Sequence, residues 1–212
     1  MGLLITFEGG EGCGKSTQSK RLALKLRQAG HKVVRTYEPG GTDLGMEIRR
    51  SLKKNRETSV APETELLLFA AARAQLTEEV ILPALSEDSI VICDRFTDST
   101  LAYQGYGRGL SLDLIESLNT IAARGVIPDL VLLLDMDPSL ALNRKLQPRD
   151  RFEFEDITFH ERVRKGYLLL AEQDPERWLV LNASRPLNHT AQSILTRVQS
   201  LLEQHQFGLS PA

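Results

Sequence analysis

The sequence has only two cysteines among 212 residues, Cys13 and Cys93, too few for a disulfide framework. No apolar stretch approaches membrane-spanning length, and no secretory pattern precedes the first strand-like run. A cytoplasmic, reducing setting without membrane attachment is therefore the expectation. Charge of one sign is also lacking. The formal net charge is −2, so no global field recruits nucleic acid, and any basic site must be local. Internal repeats, low-complexity tracts and linkers are missing, so residues 1–212 are expected to form one domain. With 42% hydrophobic and 25% charged residues, the chain can bury one sizeable core. Two further absences exclude a regulatory GTPase: neither a guanine-reading N-K-x-D nor a D-x-x-G switch occurs.

What is present is concentrated near the start. Leu3 to Thr17, LLITFEGGEGCGKST, is an apolar strand pattern feeding a glycine-rich turn and then a helix. Gly9, Gly14, Lys15 and Ser16 satisfy the spacing G-x-x-x-x-G-K-[ST], with Gly10, Glu11, Gly12, Cys13 and Thr17 completing the loop. Glycines let the backbone bend tightly and turn successive N–H groups toward an anion, and the helix N-terminus adds its positive end. Lys15 is expected to reach the β- and γ-phosphates of a nucleoside triphosphate, and the Ser16 hydroxyl to ligate Mg²⁺.

Further along, apolar strand-like runs alternate with helical periodicity. Lys32–Tyr37, Ser89–Asp94, Leu130–Asp135 and Trp178–Leu181 read as strands. Helices are expected at Asp43–Lys53, from Pro62 until Pro83 disturbs the pattern, and at Ser111–Ala123. Others are expected at Pro138–Leu146, Ile157–Glu172 and Leu187–Gln206. Gln104–Gly109 reads as a glycine-punctuated loop. The alternation predicts an α/β fold of the P-loop NTPase kind, a parallel sheet of about five strands with helices on both faces.

In such sheets ligands collect at the carboxyl ends of the strands. Asp94 follows a buried run and is placed to join Ser16 around Mg²⁺, or else to cap a helix or pair with Arg95. Arg95 and Arg49 are guanidiniums suited to bidentate phosphate contact, although Arg49 equally suits a solvated surface beside Arg50. Phe69 and Arg73 share a helix face and suit a flat base, or a core phenylalanine beside a surface arginine. The charged break containing Arg144, Arg149 and Arg151, about residues 144–156, fits either a short mobile lid over a transferring phosphoryl group or a solvated loop. Cys13 lies beside phosphate-loop donors and Cys93 abuts Asp94, so they read either as reactive thiols that ATP and Mg²⁺ would protect or as two buried, inert thiols.

Five segments together resemble the thymidylate kinases: FEGGEGCGKST, EPGGT at Glu38–Thr42, the Phe69/Arg73 pair, DRFTDSTLAYQG at Asp94–Gly105, and DRFE at Asp150–Glu153. The resemblance covers nearly the whole chain. It implies transfer of the γ-phosphoryl group of ATP to dTMP, with Mg²⁺, in a homodimer formed by packed helices. Phe69 would stack on thymine, with Arg73, Thr100 and Gln104 around its polar edge. Tyr103 would exclude a ribose 2′-hydroxyl, and Glu11 would meet the 3′-hydroxyl. Arg49 and Arg95 would clamp the acceptor phosphate, and Glu38 and Pro39 would be among the residues binding dTMP. Gly12 follows Glu11 where some members carry an arginine, so the resemblance implies the bacterial type, with the lid supplying Arg149 or Arg151 and Arg144 in support.

Overall fold

Leu3–Glu8 is apolar except at Thr6 and Glu8, and a strand alternates its side chains between two faces, so this segment must be covered on both. The computed structural model, which describes residues 2–143 and 151–206, makes it strand β1, Leu3–Glu8. The other strands are β2, Val33–Tyr37; β3, Ile90–Asp94; β4, Leu130–Asp135; and β5, Trp178–Asn182. All pair in parallel in the order β2-β3-β1-β4-β5, with Phe7 opposite both Asp94 and Leu132. The expected α/β fold is observed.

Parity divides the core. Leu3, Ile5 and Phe7 pack with Leu22 and Leu26 of α1 (Lys15–Gln28) and with Ile194 and Val198 of α9 (Leu187–Gln206). Leu4 packs on the opposite side with Leu76, Ile81 and Phe96. Leu4 and Ile5 are fully buried, and each such side chain contributes about 1.5–3 kcal/mol. Thr6 and Glu8 share the parity of Leu4, so a carboxylate emerges on that face at the end of the central strand.

The Glu38–Thr42 loop leads into α2, Asp43–Lys53, whose first turn is capped by the Thr42 hydroxyl accepting from Gly45 N–H at 3.0 Å. Helix α3 spans Pro62–Leu76 and continues through a π-helical turn, Thr77–Ile81, into α4, Leu82–Ser86. Pro83 does not break this helix. It lies in the first turn of α4, and the wider turn before it absorbs the missing donor.

The expected loop at Gln104–Gly109 is largely helical. A short helix α5, Thr97–Thr100, runs into a π-helical segment, Leu101–Gly107. Its glycines allow close packing rather than a turn. A Cβ on Gly105 would meet Leu112 Cδ2 at 2.5 Å, and one on Gly107 would meet Phe159 Cε2 at 2.8 Å. Helices α6, Leu112–Ala122, α7, Pro138–Asn143, and α8, Ile157–Gln173, complete the described elements.

Candidate active site

The carboxyl ends of β1, β2 and β3 open onto one cleft of about 710 Å³. At one end lies the glycine loop. Gly9, Gly12 and Gly14 all have positive φ, at 132°, 72° and 96°. At Gly9 a Cβ would also stand 2.5 Å from the Leu134 carbonyl oxygen, so only glycine lets the loop pass over β4. Lys15 opens α1 and is buried, its Nζ donating to the carbonyls of Gly9 at 3.0 Å and Gly10 at 2.6 Å. Ser16 Oγ donates to Asp94 Oδ2 at 2.5 Å. Glu11, Gly12, Gly14, Lys15, Ser16 and Thr17 line the cleft, whereas Gly9, Gly10 and Cys13 line a small chamber behind the loop.

Neither cysteine is exposed. Cys13 Sγ donates to the Gly10 carbonyl at 3.1 Å. Cys93 is fully buried, and burial, reinforced by the carboxylates of Glu38 and Asp94, pushes its thiol well up. The reading of Cys93 as a reactive thiol therefore does not stand, because its thiolate is disfavoured where it sits.

Arg95 links the two ends of the cleft. It follows β3 with φ 75°, in the left-handed region. Its Nη1 donates to Gly9 O, Ser99 Oγ and Tyr167 Oη at 3.0–3.2 Å. Its Nη2 donates to Glu11 Oε1 at 2.5 Å and Tyr103 Oη at 3.0 Å. Burial raises the Tyr103 phenol, which stays a donor and gives its proton to Glu11 Oε1 at 3.1 Å. Arg49 reaches across from α2, its Nη1 donating to the Pro39 carbonyl at 2.8 Å and its guanidinium lying 5.3 Å from the Tyr37 ring centre.

Phe69, Arg73, Thr100, Tyr103 and Gln104 come together in the same cleft. Arg73 is not a surface arginine: it is 1% exposed. Its Nε and Nη2 donate to the Glu38 carboxylate at 2.7–3.1 Å, Nη2 also to Phe96 O and Thr100 Oγ1, and Nη1 to Asn119 Oδ1. Burial pushes the Glu38 carboxyl up, and the Arg73 charge and hydrogen bonds offset only part of that rise. Of the five guanidinium N–H groups, one on Nη1 has no acceptor among the described residues and is left over for another. Phe69 faces Phe152 at 5.9 Å between ring centres, and Phe152 lies edge-on to Tyr103 at 6.3 Å.

Of the three lid arginines, the structure describes only Arg151. Arg144 and Arg149 lie outside the described residues. Arg151 points away from the glycine loop, onto Glu65 Oε2 at 2.6 Å and the Leu52 carbonyl. The buried Glu65 carboxylate supplies the opposite charge that this guanidinium pairs with. Asp135, the carboxylate closing β4, is held by Arg164 at 2.7 and 2.9 Å, beside the small chamber.

Sequence reasoning gave no role to the residues that support this site. Glu8 accepts from Phe96 N–H, Ser99 Oγ and Tyr167 Oη at 2.5–2.9 Å, beneath Arg95. The available signal was its place at the end of an apolar strand. Burial, with the nearby charge of Asp98, pushes the Glu8 carboxyl up to about 7, and burial pushes Asp98 up to about 6. A carboxyl raised in the folded state stabilises the fold fully below its unfolded value, and that stability is lost as pH climbs through the folded value. Between about pH 5 and pH 8, thermal melts of the wild type are expected to fall relative to those of Glu8→Gln, by up to about 3 kcal/mol. Parallel curves for the two proteins would count against this.

Comparison with known proteins accords with this geometry. Residues 7–194 match the family model described as thymidylate kinase. A thymidylate kinase of Dehalococcoides mccartyi is 53% identical over 203 residues, covering 95% of this chain and 98% of that one. The Geobacter sulfurreducens thymidylate kinase is 50% identical over 202 residues, covering 92% and 95%. The crystal structure of thymidylate kinase from Ehrlichia chaffeensis superposes with a TM-score of 0.79 at 35% identity, over 93% of this chain and 98% of that one. With a glycine loop facing an arginine and aromatic pocket across one cleft, and these relatives matching nearly end to end, the chain belongs to the thymidylate kinase family.

Proposed function

We propose that the cleft divides the family's reaction, transfer of the γ-phosphoryl group of ATP to dTMP with formation of dTDP and ADP, between a donor end and an acceptor end. The observation that carries this reading is one cavity lined both by Lys15 and Ser16 and by Phe69, Arg73, Arg95 and Gln104. At the donor end the backbone N–H groups of residues 9–17 cradle the triphosphate, and Lys15 exchanges the Gly9 and Gly10 carbonyls for phosphate oxygens. Ser16 Oγ and Asp94 Oδ2 are hard oxygen donors side by side at the mouth of the loop, which suits Mg²⁺. Bound there, Mg²⁺ would neutralise charge on the β- and γ-phosphates.

At the acceptor end Phe69 stacks on thymine, and Arg73, Thr100 and Gln104 meet its polar edge. Glu38 and Pro39 hold Arg73 and Arg49 in position. Tyr103 and Glu11 bound the deoxyribose, and Arg49 and Arg95 grip the phosphate. A phosphomonoester oxygen is already anionic near neutral pH, so the enzyme needs no strong base. Alignment and charge neutralisation by Lys15 and Arg95, with Arg144, Arg149 or Arg151 arriving from the lid, carry the rate. We infer further that the chain acts as one domain, in the cytoplasm and as a homodimer. Exposed Leu67 on α3 and Leu114 and Ile121 on α6 support a helix-packed contact.

ADP release with ATP·Mg²⁺ across dTMP, dUMP, ribothymidine monophosphate, dCMP, dGMP and AMP tests the reading. Selective turnover of dTMP is the expected result. Preference for another monophosphate would overturn the base-pocket assignment, and hydrolysis without any acceptor would overturn the kinase reading.

A further inference from the structure

Glu65 stands in the first turn of α3 with its side chain entirely buried. Its Oε1 accepts from Gln104 Nε2 at 2.6 Å and Arg108 Nε at 3.3 Å. Its Oε2 accepts from Arg151 Nη1 at 2.6 Å and Arg108 Nη2 at 3.2 Å. Two guanidiniums thus hold the carboxylate in place, and an ionised carboxylate only accepts hydrogen bonds. Only the NH₂ end of the Gln104 amide can face it, since turning the amide over would bring two oxygens together at the 2.6 Å contact. Gln104 lines the cleft beside Thr100 and Arg73, and among the described residues no hydrogen bond is made to its amide oxygen. That oxygen is the acceptor Gln104 has left to offer.

Pyrimidines differ at the edge such an acceptor meets. Thymine and uracil present an N3–H donor beside the O4 acceptor, whereas cytosine presents a bare N3 acceptor beside an amino donor. An acceptor at Gln104 and the remaining N–H of Arg73 complement the first pattern and oppose the second. We propose that Glu65, which does not touch the base, is a positioning residue that fixes the Gln104 amide oxygen toward the pocket and thereby makes the site accept N3–H and reject cytosine. The inference rests on the acceptor-end assignment above.

The test uses the full chain with saturating ATP·Mg²⁺ and compares kcat/KM for dTMP, dUMP and dCMP in the wild type, E65Q and E65D. In E65Q the new amide donates as well as accepts, so Gln104 is free to turn. The dTMP-to-dCMP ratio is expected to fall by about tenfold or more, while the dTMP-to-dUMP ratio stays within about twofold because both bases keep N3–H. E65D keeps the charge for Arg108 and Arg151 but withdraws it by one methylene, and it shifts the same ratio in the same direction. It decides the matter if circular dichroism shows E65Q unfolded. An unchanged dTMP-to-dCMP ratio, or equal loss on all three nucleotides, would overturn the proposal. A wild type that turns over dCMP as readily as dTMP would instead refute the underlying pocket assignment.

Discussion

Lys15→Met is expected to lower kcat by about 10³-fold or more, while leaving the KM for dTMP within a few-fold of the wild-type value. The change is large because the ammonium is already buried at the loop, 2.6–3.0 Å from two backbone oxygens, where the effective dielectric is low and a charge acts strongly on a phosphate. Methionine keeps most of the stem's length and apolar contact. It also leaves the Gly9 and Gly10 carbonyls without their donor, which costs about 1–3 kcal/mol of stability. Steady-state kinetics together with urea melts separate the two effects. A folded variant retaining more than a tenth of wild-type kcat would remove Lys15 from the phosphoryl-transfer step.

The second large effect is on folding as much as on turnover. Arg73→Met strands the Glu38 carboxylate, which is 3% exposed, without its counter-charge. Removing one member of a buried pair costs about 3–5 kcal/mol, which for a chain of this size lowers Tm by about 6–20 °C. The double variant Arg73→Met/Glu38→Gln should recover much of that loss, because the penalty lies in the uncompensated charge rather than in the missing attraction. Denaturant midpoints of the two singles and the double measure the coupling directly. A loss below about 1 kcal/mol in Arg73→Met would mean that water reaches Glu38, contrary to its burial. If Arg73 meets the base as proposed, turnover of dTMP stays low even in the double variant, since that donor is gone.

The parts of the molecule readable from sequence were those in which local chemistry and tertiary role coincide. The glycine loop between a strand and a helix needs its residue types whatever surrounds it. The apolar strands ending in Glu8, Asp94 and Asp135 announce a parallel sheet and the edge along which its site forms. What was illegible depended on partners distant in sequence. Arg73 and Phe69 show by spacing that they share a face, but not that Glu38, 35 residues earlier, buries the guanidinium. Glutamate in the first turn of a helix is satisfied locally by the helix dipole, so Glu65 gave no hint that Gln104, Arg108 and Arg151 converge on it. Gly105 and Gly107 read as loop residues because a sequence displays the freedom of glycine and hides the approach of Leu112 and Phe159. Arg151 matched a lid motif, and only the structure places its guanidinium against α3.

Strand β1 lies at the centre of the sheet, bonded to β3 on one side and β4 on the other. It leaves the ribosome before either neighbour, and the second of these ends only at Asp135. At about 5–20 residues per second, roughly 6–25 s of translation separate the two. Throughout that interval the newborn Leu3–Glu8 segment offers apolar side chains and unpaired backbone groups to any neighbouring chain. The arrangement that puts the glycine loop at the middle of the sheet thus leaves an apolar segment of the nascent polypeptide waiting longest for its second partner. Yield in a heterologous host will follow translation speed and holding chaperones more closely than the stability of the finished enzyme.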